Sequence, residues 1–186
     1  ARQNGLYADF SPKPLENESG NGLHINMSVK CADGTDRTPA FMAGILAHIR
    51  DLTAFLNPSE ASYSRFGKCK APKFVTWSHE NRSQLIRIPA AKGEYRRIEL
   101  RSPDPSANPY LAYALLIWAG LDGIAKDMCP APAVNLNLLA APESETREFD
   151  TLPGSLKEAV ALANGSALVR RVLGEDAASF LTDVRR

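Results

Sequence analysis

Between Asn81 and Arg101 the sequence reads NRSQLIRIPAAKGEYRRIELR. Five arginines (Arg82, Arg87, Arg96, Arg97 and Arg101) and two carboxylates (Glu94 and Glu99) are threaded through two short apolar runs. Leu85-Ile86 and Ile98–Leu100 have the pattern of β-strands, and Pro89–Gly93 between them reads as a turn. Side chains alternate along a strand, so Arg97, Glu99 and Arg101 fall on one face while Ile98 and Leu100 fall on the other. An Arg-Glu-Arg row is costly to bury without partners. Two environments tolerate it. One is solvent, where the charges form a salt-bridged face. The other is a site for phosphates and a metal ion: guanidinium groups match phosphate oxygens with paired hydrogen bonds, and a carboxylate among them can hold a hard cation. Arg82 and Arg87 are five positions apart, so a straight strand would separate them. If both serve one ligand, Arg82 must lie on the turn before the strand, or a bulge must intervene.

The remaining chain narrows the choice. Its 186 residues suffice for one domain with a sizeable core, and 44% hydrophobic with 23% charged residues is ordinary for a globular protein. A net charge of +1 supplies no global field for nucleic acid or an anionic membrane. Cys31, Cys69 and Cys129 are too few and too widely spaced for a disulfide framework or a zinc pattern, which suits a reducing cytoplasm. No apolar run approaches the roughly 20 residues of a membrane helix. The opening residues carry no signal peptide and no start-like segment, as expected of a piece of a longer protein.

Leu6–Phe10 alternates and predicts a strand ended by Pro12 and Pro14. Ser19–Gly22 is a glycine loop that lets backbone approach a ligand closely. It leads into Leu23–Val29, a predicted strand with His24, Asn26 and Ser28 on one face and Leu23, Ile25, Met27 and Val29 towards the core. Thr38-Pro39 predicts the start of a helix over 39–56, with Phe41, Ile45, Ile49, Leu52 and Leu56 on its apolar face, His48 structural, and Asn57-Pro58 as its stop. Residues 59–72 read as a polar loop able to act as a lid, with Tyr63 and Arg65 in it. Phe74–Ser78 predicts a strand with Trp77 in the core. Residues 102–106 read as a turn-rich break. Asn108-Pro109 predicts a helix with Leu111, Leu115, Trp118 and Leu121 as its stripe and Gly123 at its end. Residues 130–142 read as a proline-punctuated loop. Ser155–Glu158 is a capping box, and short helices follow at 167–173 and 177–184. Together these predict an α+β fold: a mainly antiparallel sheet flanked by helices, with a helical C-terminal tail.

The segments GNGLHINMSV, NPSEASYSR, NRSQLIRIP, RRIELRSPDPSANPYLAYALLIWAGLDGI and LPGSLKEAV closely resemble the C-terminal catalytic domain of bacterial-type glutamine synthetases. They follow that family's order and spacing over most of residues 5–163. The resemblance implies a curved sheet of the guanido kinase-like type. It also implies ATP-dependent ligation of ammonia to L-glutamate through γ-glutamyl phosphate. His24 and Glu99 match ligands of a divalent metal, normally Mg²⁺ or Mn²⁺. Arg82 and Arg87 match arginines that contact ATP phosphates and stabilise the transferring group, and Arg97 another near the nucleotide. Arg65 and Arg101 match arginines on glutamate or glutamyl phosphate. Ser19 and Gly20 fall where the family has an Asn-Gly pair touching glutamate. Asn26 and Ser28 lie on the ATP-contacting face, Asn26 where many relatives have His.

Two departures stand out. Lys70 occupies the position of a lid glutamate that helps hold ammonium, reversing the charge there. Glu94 falls where some relatives have a basic ATP contact. The resemblance further implies a single domain over 1–186, cut from an enzyme whose N-terminal β-grasp domain and upstream catalytic strands lie outside it. The parent would be a cytoplasmic ring-shaped homo-oligomer, and the piece alone would be inactive. Two other readings share these residues: a ligase of the same superfamily acting on a different amine, which Lys70 would fit, and a non-catalytic nucleotide-binding or structural paralogue.

Overall fold

A computed structural model describes residues 1–91 and 93–175 of the chain. The described residues form an α+β fold around a four-stranded mixed sheet. The strands are β1 (Ile25–Met27), β2 (Trp77–His79), β3 (Ile86–Ile88) and β4 (Ile98–Leu100), in the order β1-β4-β3-β2. β4 runs antiparallel to both β1 and β3, and β2 runs parallel to β3.

The register sorts the side chains into two kinds of row. Ile25, Leu100, Ile86 and Trp77 stand opposite one another across the strands, and so do Asn26, Glu99, Arg87 and Ser78. Adjacent residues of a strand face opposite sides, so one sheet face is apolar and the other carries the charges. On the apolar face Ile25, Ile86, Ile88, Ile98 and Leu100 are buried, and they share one core with two long helices.

Those helices are α1 (Thr38–Leu56) and α3 (Pro109–Ala125). α1 buries the expected Phe41, Ile45, Ile49, Leu52 and Leu56, and Asn57 ends it. Its start differs from expectation. Arg37 is the N-cap without a side-chain bond, and Asp36 instead accepts from the Thr38 amide at 3.0 Å. Asn108 caps α3 through the Tyr110 amide. The buried face of α3 is not the predicted stripe. Trp118 and Leu121 are exposed, and Ala112, Leu115, Leu116, Ala119, Gly120 and Gly123 are buried instead. Small residues win because the two helices approach almost to backbone contact. A Cβ at Gly44 would overlap the Ala119 carbonyl and lie 2.7 Å from the Gly123 nitrogen. Gly123 is therefore a packing residue inside α3 and not its terminator. His48 is structural as read: its Nε2 lies 2.9 Å from Asp122 Oδ2 and ties α1 to α3. Trp118 rests under the Arg171 guanidinium, 4.7 Å from its ring centre.

Shorter helices complete the layer: α2 (Glu60–Tyr63), α4 (Glu143–Thr146), α5 (Leu156–Gly165) and α6 (Ala167–Leu173). α5 and α6 begin at Ser155 and Ser166, whose hydroxyls accept from Glu158 and Val169 amides. No helix among the described residues is long and apolar enough to cross a membrane.

Four further expectations need correction. Residues 6–10 form no strand. No neighbouring strand pairs with them among the described residues, Leu6, Tyr7 and Phe10 are exposed, and Asp9 instead accepts from the Ser11 amide. The strand expected over 23–29 shortens to β1, although its two faces alternate as read. Only the end of the segment 74–78 joins the sheet, because Phe74 and Val75 pair with Thr151 and Asp150. The loop 59–72 contains α2, capped by Ser59, with Tyr63 and Arg65 buried. Lys92, within the expected turn, and the expected helix 177–184 lie outside the described residues.

The glycine seam makes a quantitative demand. Gly44→Ala, which inserts a methyl group between two helix backbones, is expected to cost about 3 kcal/mol, read as a lower urea midpoint. The Asp122 carboxyl makes a second. Hydrogen bonds from Lys126 and His48 hold its pKa below the ordinary aspartate value. A depressed folded pKa contributes stability that is present above the unfolded value and lost as pH falls through the folded one. Below about pH 4 the wild type is expected to lose stability more steeply than Asp122→Asn in urea titrations across a pH series.

Candidate anion and metal site

Glu99 sits in the middle of the polar row. Its Oε2 accepts from Arg87 Nη1 at 2.9 Å and lies 3.7 Å from Arg101 Nε. Its Oε1 lies 3.1 Å from His24 Nδ1. The sheet register creates this meeting, since β4 lies between β1 and β3 and carries Glu99 opposite Asn26 and Arg87. His24 is the residue just before β1, one step along the same polar face as Asn26 and Ser28.

The ionisation states follow from these neighbours. Burial raises the Glu99 pKa, but the Arg87 hydrogen bond and the charges of His24, Arg101 and Arg87 outweigh it and leave the carboxyl below its usual value. Burial and then the Arg101 charge lower the His24 pKa, against a smaller pull upward from Glu99. At neutral pH the pair is therefore a carboxylate beside a neutral imidazole. That donor set suits a divalent cation, with one nitrogen and one oxygen converging. Among the described residues no third His, Cys, Asp or Glu joins them. His24 and Glu99 thus offer two donors, fewer than a divalent cation requires.

The five arginines of this stretch have different settings. Arg87 is pinned across the row, by Glu99 and by a bond from its Nε to the Glu80 carbonyl at 3.1 Å. Arg97 donates to Asn26 Oδ1 at 3.1 Å, and so joins the ATP-side residues expected on that face. Arg101 is almost wholly buried. It donates to the Arg82 carbonyl, while its Nε has no hydrogen-bond partner among the described residues. An orphaned buried guanidinium N–H is a place for an incoming anion to bind. Arg82 itself lies exposed on the turn before β3, so the turn alternative holds and no bulge is needed. Arg96 leaves the cluster and pairs with Asp36 at 2.9 Å on the surface.

A polar hollow of about 310 Å³ opens beside the row, and Ser19, Gly20, His24, Arg65, Lys70 and Arg101 all line it. The predicted substrate-side residues therefore do converge. Gly20 is needed here because a Cβ would overlap the Pro12 carbonyl; a Cβ on Gly22 would lie 3.2 Å from Arg65 Nη2. Ser28 lies apart, lining a separate hollow with Gly34, Thr35 and Arg96.

One residue that holds the site together escaped the sequence reading. Asp104, in the segment taken as a turn-rich break, is fully buried. Its Oδ2 accepts from Asn57 Nδ2 at 2.9 Å and lies 3.5 Å from Arg65 Nη1, and its Oδ1 accepts from the Ser106 amide. Arg65 also donates to the Ser102 carbonyl at 3.1 Å. The sequence carries part of the signal, an acid set between two prolines where it can cap a turn, but not its burial. Its long-range partner was not visible.

Comparison with known proteins follows the same lines. The family described as glutamine synthetase, catalytic domain, matches residues 1–186. The chain is 44% identical over 191 residues to the glutamine synthetase of Methanosarcina mazei, covering 94% of this chain and 42% of that protein. It is 41% identical over 198 residues to that of Pyrococcus abyssi, covering 100% of this chain and 45% of that protein. A solved structure described as a GmaS/ADP complex matches with a TM-score of 0.85 at 33% identity, covering 99% of this chain and 46% of that one. The chain spans less than half the length of these relatives.

The Arg65–Asp104 pair is testable apart from any activity. Asp104→Asn leaves a buried guanidinium without its counter-charge and is expected to cost about 3–5 kcal/mol, measured by urea unfolding.

Proposed function

The chain belongs to the glutamine synthetase catalytic-domain family, and from that premise we propose that it carries the phosphoryl-transfer machinery of an ATP-dependent ligase that joins ammonia to the side-chain carboxylate of L-glutamate, through γ-glutamyl phosphate. The observation that carries the proposal is the convergence of His24, Glu99, Arg87 and Arg101 on one sheet face. Phosphoryl transfer asks mainly for positioning and for fixed positive charge around the phosphate oxygens.

In this reading Arg87 and Arg97 hold the ATP phosphates, with Asn26 beside them and Ser28 further along the same face at its own hollow. Arg82 and Arg101 stabilise the charge on the transferring group. Arg65, braced by Asp104, and the Ser19-Gly20 backbone hold glutamate so that its side chain points towards Arg101. Because these arginines are already tied to Glu99, Glu80 and Ser102, little reorganisation is required when charge develops. Mg²⁺ or Mn²⁺, held by His24 and Glu99, would draw negative charge from the phosphate oxygens. Two donors do not complete a coordination shell, which supports a site finished by residues of the longer protein or of a neighbouring subunit in a homo-oligomeric ring. On the same ground the 186-residue piece is expected to be inactive alone. The truncated single-domain organisation and a cytoplasmic setting belong to this proposal. The three cysteines, all free, agree with the setting.

One observation favours a second reading, a ligase for a different amine: Lys70 lines the substrate hollow where an ammonium ion would meet repulsion.

The test is γ-glutamyl hydroxamate formation by the full-length protein with hydroxylamine and Mg²⁺-ATP. Glu99→Gln is expected to lower the rate by about 10²–10³-fold and to weaken Mn²⁺ binding followed by water relaxation. An unchanged rate together with unchanged Mn²⁺ binding would remove Glu99 from the site and the proposal with it.

A further inference from the structure

We infer that the amine accepted at this site carries its own carboxylate, as an α- or ω-amino acid does, and that Lys70 and Lys68 select it over ammonia. The inference rests on the second reading above, a ligase for a different amine, and names the class of that amine.

Charge is distributed unevenly around the hollow. Its inner wall holds Arg65 and Arg101, each almost wholly buried. Each has a carboxylate at hand: Asp104 at 3.5 Å for Arg65 and Glu99 at 3.7 Å for Arg101. The inner cations are therefore largely compensated. The rim is different. Lys68 and Lys70 line it and are exposed, and Lys13 joins them with its ammonium on the uncharged Glu18 carbonyl. Among the described residues no aspartate or glutamate lines the hollow. Lys68 and Lys70 are also held in place by backbone. The Gly67 amide donates to the Ala71 carbonyl and the Ala71 amide to the Lys68 carbonyl, both at 3.0 Å, closing a tight turn.

A cation-lined mouth raises the local concentration of anions and lowers that of cations. Ammonium and simple alkylammonium ions are cations at neutral pH and are disfavoured at this rim. An amino acid brings a carboxylate that two lysines can hold while its amino group, once deprotonated, points inward. The nitrogen lone pair attacks the acyl carbon of γ-glutamyl phosphate, a C–N bond forms, and the C–O bond to phosphate breaks. Inorganic phosphate leaves with that electron pair, and the surplus nitrogen proton passes to solvent. ATP and glutamate, the co-reactants of the ligase reading, supply the activated acyl group.

The experiment compares matched amines, β-alanine against propylamine and glycine against glycinamide, with ammonia alongside. It measures kcat/KM for ADP formation by the full-length protein with glutamate and Mg²⁺-ATP. The wild type is expected to favour the carboxylate-bearing member of each pair by roughly tenfold or more at low salt, with the preference shrinking at high ionic strength because the lysines are exposed. Lys70→Glu is expected to invert the preference, and Lys68→Ala to weaken it. Hydroxylamine, small and uncharged, reports γ-glutamyl phosphate formation independently of the lysines at the rim. Hydroxamate formation combined with a wild-type preference for ammonia or propylamine overturns the amine assignment and leaves the ligase reading standing. So does a Lys70→Glu variant that shifts only the KM for glutamate. Absence of hydroxamate overturns both.

Discussion

Glu99 is the carboxylate about which the charged face is arranged. Without it, Arg87 and Arg101 would face each other across neighbouring strands with no charge between them, and like charges at that range repel. With it, one oxygen engages the guanidinium groups and the other meets His24. The geometry depends on strand order. Placing β4 between β1 and β3 is what brings a histidine from one side and an arginine from the other onto a single acid. Conversely, the polar face is tolerable because its opposite face is apolar: Ile25, Leu100 and Ile86 form the row behind it and fix the register, since a one-residue slip would send Glu99 into the core.

A sheet of three-residue strands needs outside support, because so short a ladder is marginal alone. The support comes from the α1–α3 pair. Gly44, Gly120 and Gly123 bring the two helices together closely enough that Leu115, Leu116, Ile45 and Ile49 fill one core with the strand residues. The His48–Asp122 bond adds a polar tie at the same seam. The site is thus positioned by a helix pair that contributes none of its charged groups.

Much of this could be read from residue order, and the misses have physical causes. The alternation of His24, Asn26 and Ser28, and of Arg97, Glu99 and Arg101, survives in the structure because alternation is local. The same pattern at Leu6–Phe10 did not produce a strand, because a strand also needs a partner and local pattern cannot name one. The stripe on α3 was misjudged for a related reason. Hydropathy rewards large side chains, whereas the contact with α1 rewards small ones, and only the neighbouring helix reveals that. Asp104 was hidden by its setting in a turn-like segment. Its burial is decided by Arg65, thirty-nine positions away.

The cations of the hollow divide according to what each can do for a ligand. Arg65 and Arg101 are buried, braced and neighboured by acids, so their charge is fixed in direction but weakened at a distance by its counter-charge. Such groups act at contact range, where a hydrogen bond to a developing oxyanion counts most. Lys68 and Lys70 are the converse: exposed, on long flexible stems, and without an acid in the same wall among the described residues. Their field reaches further but is screened by salt within about 10 Å. Buried arginine therefore suits the stabilisation of a reacting group, and exposed lysine suits the choice of what arrives. On the inference drawn above, exchanging a single rim residue would change the accepted partner while the chemistry inside stays the same. Position 70 is exposed, outside the packed core and outside the hydrogen-bonded row, so an exchange there leaves the contacts of Glu99 in place.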